Sequence, residues 1–285
     1  MDKNIVALHT FIRQALNEDL GDGDHTSNCT IPPGYKGRAK LLIKDTGILA
    51  GVSIAREIFL IVDPALTMEI FMEDGQVVQH GDVAFHVNGS VHSILLAERL
   101  VLNIMQRMSG IATTTNKVVK LLEGTGTKVL DTRKTTPGLR YLEKLAVKIG
   151  GGVNHRFGLY DMVLIKDNHV DYAGGIAKAI EAAKSYLKKK NLDIPIEIEV
   201  RNLSELIQAI NSGGVDRILL DNFTFEKLEE AVALIKGRFI TEASGGITLD
   251  NVLEYARCGV DFVSMGALTH SVKSLDMSLK AIQTN

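Results

Sequence analysis

Cysteine is almost missing from this chain: Cys29 and Cys258 are the two present in 285 residues. Two distant thiols exclude a disulfide framework and a cysteine-rich metal site, and they predict a reducing compartment. Long apolar runs are missing as well. Nothing approaches the roughly 20 residues that a membrane span needs. The opening stretch MDKNIVALHTFIRQAL is amphipathic, contains acids and lacks the continuous apolar core of a signal peptide. A soluble cytoplasmic protein with no membrane partner is expected. Net charge is nearly absent too, since 32 Lys and Arg face 34 Asp and Glu and leave −2. Without a global basic field, nucleic acid is not an expected partner. His25, His80, His86 and His92 have no metal-ligand spacing, which leaves packing or surface roles for them.

A hydrophobic content of 45% is ample for a large core, and the length suits one large domain plus a smaller one. The positive charge is local. DTRKTTPGLR, residues 131–140, follows an apolar strand pattern and turns abruptly cationic; the apolar run 162–165 likewise empties into Lys166, Asp167, Asn168 and His169. Arg133, Lys134, His155, Arg156 and Lys166 therefore point to a pocket for a strongly anionic ligand, because a desolvated anion needs several fixed donors and countercharges.

Hydrophobic spacing predicts a helix over 4–20, a hairpin over 37–51, a short helix over 54–62 and short strands within 71–90. The EDGQVVQHGDV stretch has a carrier-domain rhythm, but no lysine occupies the Asp74-Gly75 turn to bear biotin or lipoate. Helices are expected over 92–107 and 109–124, with a domain boundary near 108. Glu98 and Arg99 interrupt the first of these. They read either as an ion pair or as an arginine projecting into a site or across a subunit interface.

Beyond 126, strands over 127–131, 162–167, 195–200, 217–221, 239–244 and 261–266, with a short one over 152–156, alternate with helices over 138–149, 171–190, 202–212, 224–237 and 249–257. That alternation predicts a parallel sheet covered by helices. No GxGxxG opens the first strand-helix unit, and every strand ends in residues suited to chemistry, which favours a barrel of fewer than eight strands. Ser244, Gly245, Gly246 and Gly266 at the last two strand ends fit a phosphate seat. Glu199 and Asp221 end neighbouring strands and suit ribose hydroxyls or a hydrated Mg²⁺ held mostly by substrate phosphates. Alternation places Glu197 on the same face as Glu199, and the pattern does not choose between them.

RLVLNIMQRMSG (99–110), DTRKTTPGLR, GGGVNHRFGLYDMVLIKDNH (150–169), EIEV, LLDN, EASGGI and MGALTHS occur in an order that resembles the quinolinate phosphoribosyltransferase family. The resemblance runs from about residue 95 onward. It implies an incomplete α/β barrel of about seven strands over 109–271, an N-terminal α/β sandwich over 1–108, and a C-terminal helix, 272–285, that packs back on the sandwich. It implies transfer of phosphoribosyl from phosphoribosyl pyrophosphate (PRPP) to quinolinate with decarboxylation, Mg²⁺ as the metal, and a homodimer or hexamer whose active site is shared between subunits. Carried over by motif, Arg133, His155 and Arg156 would bind the quinolinate carboxylates, with Arg99 reaching in from the neighbouring subunit. Lys134 and Lys166 would serve the leaving pyrophosphate, and Lys166 quinolinate as well; Glu199 and Asp221 would face ribose and metal. Ser244, Gly245, Gly246, Gly266 and His270 would seat the 5-phosphate. Thr135, Thr136 and Arg140 either touch substrate or shape the turn. The alternatives are a paralogous transferase linked to molybdate uptake, which shares DTRKTTPG, and a non-catalytic sensor of sugar phosphates or dicarboxylates.

Overall fold

In the computed structural model, residues 3–282 are described. The elements are α1 (Lys3–Leu20), α2 (His25–Thr30), β1 (Lys36–Ile43), β2 (Gly47–Ile48), α3 (Val52–Val62), β3 (Thr67–Ile70), β4 (Val77–Val78), β5 (Val83–Ser90), α4 (Val91–Leu121), β6 (Lys128–Leu130) and α5 (Arg140–Ile149). Beyond these come β7 (Val163–Ile165), α6 (Asp167–Ala173), α7 (Ile176–Lys190), β8 (Ile196–Val200), α8 (Leu203–Ser212), β9 (Arg217–Asp221), α9 (Phe225–Ile235), β10 (Ile240–Ser244), α10 (Val252–Arg257), β11 (Phe262–Ser264), α11 (Ala267–His270) and β12 (Met277–Ile282). None of the described helices is long and apolar enough to cross a membrane. The chain divides into two compact units. One takes the chain up to Asn116, Thr135–Gly151 and the chain from Ser271 on; the other takes Lys117–Lys134 and Gly152–His270.

The first unit is built on an antiparallel sheet of order β12-β1-β5-β3. Alternation in β1 buries Ala39, Leu41 and Ile43 on one face, the period that a half-covered sheet requires. α1 lies against α3, and Phe59 meets Phe85 edge to face at 6.1 Å between ring centres. This is the expected sandwich, with three local corrections. The 37–51 hairpin does not form: β1 is flanked by β12 and β5, and β2 pairs with β4. Alternation reveals a strand but not which distant strand will pair with it.

The helix expected over 272–285 is also absent from its described part. Met277–Ile282 is a strand with Leu279 opposite Leu41, and 283–285 lie outside the described residues. Nor does Ser109-Gly110 break a helix, since α4 runs through it. Ser109 Oγ accepts from Ala50 N–H and donates to Ala50 C=O, at 2.9 and 3.1 Å. A Cβ on Gly110 would overlap the Lys273 carbonyl. The small residues permit close approach inside a helix that the composition alone suggested was ending.

Thr135, Thr136 and Arg140 are tied into the same unit. Arg140 Nε donates to Thr135 Oγ1 at 3.0 Å, and Thr136 N–H donates to the buried Glu143 carboxylate at 3.2 Å. Arg107 grips both Thr136 Oγ1 (2.9 Å) and Glu143 Oε1 (2.6 Å). These bonds shape the turn.

The second unit is a parallel sheet of order β6-β11-β10-β9-β8-β7. First and last strands pair, Val129 opposite Val263, so the sheet curls on itself as a barrel does. The seventh expected strand reduces to one parallel bridge, Leu130 to Val153. Between Val153 and β7 no described strand intervenes, and the barrel is incomplete there. Burial on both faces explains the continuous apolar strands, and β8, IEIEV, is buried along its whole length. Asp261 Oδ2 accepts from Thr241 N–H and Oγ–H at 2.8 and 2.7 Å, clipping β10 to the chain entering β11. The helix expected over 171–190 is two helices, because Gly174 (φ 83°) and Gly175 (φ 124°) adopt backbone that only glycine takes freely.

Candidate functional site

The strands of the second unit all run the same way, so their carboxyl ends and following loops gather on one rim. A cavity of about 860 Å³ opens there. Arg133, Lys134, His155, Arg156, Lys166, Glu199, Asp221, Ser244, Gly245, Gly246, Gly266 and His270 all line it. Of the expected site residues, Arg99 alone does not. It belongs to the first unit, exposed on α4.

Cations occupy one side of the cavity. Arg133 is half-buried, and its Nε is a buried donor with no hydrogen-bond partner among the described residues. Such a donor is costly unless a ligand acceptor meets it. Arg156 Nη1 donates to the Met162 carbonyl at 3.1 Å. Burial, and then the nearby Arg133, lower the Arg156 guanidinium from its ordinary value, while Glu197 and Asp161 oppose this. Two guanidiniums this close favour a ligand of negative charge between them. Asp161 shapes their loop by accepting from the N–H groups of Phe157 and Gly158 at 2.6 and 2.8 Å.

At the ends of β8 and β9 stand the acids. Glu199 is 8% exposed, with Lys166 Nζ 3.5 Å from Oε2. Burial pushes the Glu199 carboxyl up; Lys166 opposes the rise and Asp221 adds to it, so the two acids feel each other. Asn222, in left-handed backbone at φ 54°, donates through Nδ2 to Asp221 Oδ2 at 2.6 Å. The alternation left Glu197 and Glu199 open, and depth separates them: Glu199 lines the cavity, whereas Glu197 is fully buried and does not.

The opposite side is small-residued. Gly245 (φ 99°) lies so close to Asn222 that a Cβ would overlap that side chain. At Gly266 a Cβ would crowd Lys134 Cδ at 2.9 Å and His270 Cδ2 at 3.1 Å. Thr269 Oγ1 donates to the Lys134 carbonyl at 2.8 Å, fastening the cationic loop to this side. Bare backbone here can approach oxygen atoms of a phosphate.

Thr132, Glu242, Ser264 and Thr248 also line the cavity, and sequence reasoning missed them. Glu242 was within reach of it: two residues before Ser244 in one strand, it must share that residue's face.

Comparison with known proteins agrees with this geometry. Residues 111–280 match the family described as quinolinate phosphoribosyl transferase, C-terminal domain, and residues 24–109 match the N-terminal domain of the same enzyme. The chain is 47% identical over 284 residues to quinolinate phosphoribosyltransferase [decarboxylating] 1b of Nicotiana tabacum, covering 94% of this chain and 81% of the relative. It is 41% identical over 281 residues to a probable nicotinate-nucleotide pyrophosphorylase [carboxylating] of Bacillus subtilis, covering 97% and 96%. Among solved structures, the nicotinate-nucleotide pyrophosphorylase from Francisella tularensis superposes with a TM-score of 0.91 at 40% identity, covering 97% and 96%.

Proposed function

Because the chain belongs to the quinolinate phosphoribosyltransferase family, we propose that it carries out that family's reaction. Phosphoribosyl passes from PRPP to the pyridine nitrogen of quinolinate, pyrophosphate and CO₂ leave, and nicotinate mononucleotide for NAD synthesis remains. The observation that carries this reading is the two-sided cavity, with a buried unpartnered Arg133 donor beside Arg156 on one side and glycine-lined backbone on the other. Nothing in the comparisons favours the molybdate-linked paralogue or the sensor.

Arg133 and Arg156 take the two quinolinate carboxylates, with His155 beside them, and their mutual repulsion is relieved as the dianion enters. Ser244, Gly245, Gly246, Gly266 and His270 receive the 5-phosphate. Breaking the bond to pyrophosphate leaves positive character on the ribose and negative charge on the leaving group. Glu199 and Asp221 face the former; Lys134 and Lys166 stabilise the latter. The quaternised ring nitrogen then stabilises the electron pair left when the adjacent carboxylate departs as CO₂, that ring carbon takes up a proton from water, and no side chain has to act as a covalent nucleophile.

Glu199 and Asp221, two oxygen donors close enough to affect each other, fit a hard divalent cation. They would hold Mg²⁺ together with PRPP, and the ion would neutralise charge on the departing pyrophosphate. Arg99, exposed on α4, suits a role in a partner's site, as a homodimer or hexamer with shared sites would require. Residues 1–108 and 109–271 act as the two domains of this assembly, a division supported by family matches that meet between 109 and 111. The two free cysteines, Cys29 and Cys258, suit a cytoplasmic compartment.

Purified protein given quinolinate, PRPP and Mg²⁺ should release pyrophosphate and CO₂ in equal amounts. Nicotinate should be turned over on the order of 10⁴-fold less efficiently, because it leaves buried donors unpaired. Equal turnover of the two acids, or ligand binding without product, would overturn the reading. An Arg99→Ala protein mixed with an Arg133→Ala protein should recover activity in mixed oligomers if sites are shared.

A further inference from the structure

At the floor of the cavity lies a buried charged cluster whose acids and Arg217 have no part in the reaction outlined above. Glu197 and Glu242 are fully buried inside the barrel, and Arg217 Nη1 is 2.9 Å from Glu242 Oε2. His155 Nε2 lies 2.9 Å from Glu197 Oε2 and 3.5 Å from Glu242 Oε2. These three side chains have the composition and closeness of a metal tripod, with candidate ligand atoms within 4.8 Å of one another. The other ring nitrogen argues against it. Arg156 N–H donates to His155 Nδ1 at 2.7 Å, so Nδ1 holds a lone pair and the hydrogen of a neutral imidazole must sit on Nε2. A nitrogen carrying that hydrogen cannot bind a metal, and the cation Arg217 already occupies the countercharge position.

We propose that His155 acts as a positioning residue, set against the buried Glu197 and Glu242 carboxyls so that its Nδ1 clamps the backbone of Arg156. The inference rests on the reading of the cavity as the quinolinate site. Three attachments define the clamp. His155 N–H donates to the fully buried Asp131 at 2.8 Å, Nε2 points into the acid pair, and Nδ1 takes the Arg156 amide. With both ring nitrogens committed inward, the ring fixes the point from which the Arg156 side chain springs. A carboxylate clamp needs that guanidinium placed to within a fraction of an ångström.

Two measurements test this. In the wild-type protein labelled with ¹⁵N-histidine, and with His155→Asn used for assignment, the His155 resonances should show a protonated Nε2 and a bare Nδ1 at about pH 7. Finding an imidazolium, or the opposite tautomer, would overturn the proposal. This readout requires no turnover, so it stands apart from the test of function. In steady-state kinetics, Glu197→Ala should raise KM for quinolinate at least about tenfold while KM for PRPP stays within about twofold, and Glu197→Gln, which keeps the side-chain volume and a polar oxygen beside Nε2, should recover most of the loss. Unchanged kinetics in Glu197→Ala, or equal loss towards both substrates, would overturn it. If Glu197→Ala does not fold, Glu197→Gln combined with the resonance measurement decides alone.

Discussion

Glu199 and Glu197 stand two residues apart in one strand and face the same way, yet they live in different chemistry. Glu199, at the rim, touches a lysine that is half open to solvent and shares the cavity with Asp221. Glu197, one layer down, has no solvent, lies beside His155, and feels Arg217, Glu242, Arg156 and Glu199. The rim holds charges that a ligand can reach and exchange. The floor holds charges packed mainly against one another, and there burial dominates the ionisation of Glu197 and Glu242. Depth along a barrel strand therefore separates groups that do chemistry from groups that hold them.

The largest break in this comparison is expected at the cationic rim. Arg133→Ala should lower kcat/KM for quinolinate about a thousandfold, the scale for removing one member of a desolvated charge pair, with thermal stability unchanged or raised because a buried orphan donor disappears. Steady-state kinetics and a melting curve on one preparation read both effects. Next comes the acidic rim. Glu199→Gln should cost about a hundredfold in kcat, and chelating divalent cations should abolish activity in the parent enzyme.

The floor should respond in stability and its pH dependence instead. Burial first, then Glu197, push Glu242 up to about 7, against Ser264 and Arg217, which pull it down. A carboxyl raised in the folded state binds its proton more tightly there than in the unfolded chain. Its contribution is fully present below about pH 4.5 and is lost as pH rises through about 7. Glu242→Gln removes this dependence. The parent should lose Tm relative to the variant between about pH 5 and about pH 8, by on the order of a few degrees. A constant difference across that range would refute the assignment.

Two smaller effects sharpen the contrast with structure away from the site. Asp261→Ala strips the Thr241 amide of its acceptor and should cost about 1–3 kcal/mol of stability, seen in denaturant unfolding, with little change in KM. Arg201, which pairs on the surface with Asp171 and Glu205, should be replaceable by alanine with no measurable shift of the denaturant midpoint.

How far the sequence alone reaches follows the same division by depth and distance. Six barrel strands were legible because burial on both faces leaves continuous apolar runs, and strand ends were legible because each run stops at a charged or glycine-rich step. Gathering Arg133, Lys166, Glu199 and Asp221 followed from parallel strands, whose carboxyl ends must share a rim. The hairpin at 37–51 was misread for a converse reason: β1 takes both partners from distant segments, one of them the strand at 277–282, where a helix is expected from the family resemblance.

What the sequence by itself determined was the family, the alternation of strand and helix, and most of the charged groups that line the cavity, all of which are carried by local pattern and motif order. Tertiary structure decided which of two equivalent acids meets solvent, that the His155 ring lies between the Arg156 amide and Glu197, and that Glu242 and Arg217 join it from other strands. Those choices depend on layer depth and on angles between groups far apart in the chain. A strand's period of two records which face a side chain takes, but not how deep it lies or what stands across the barrel from it.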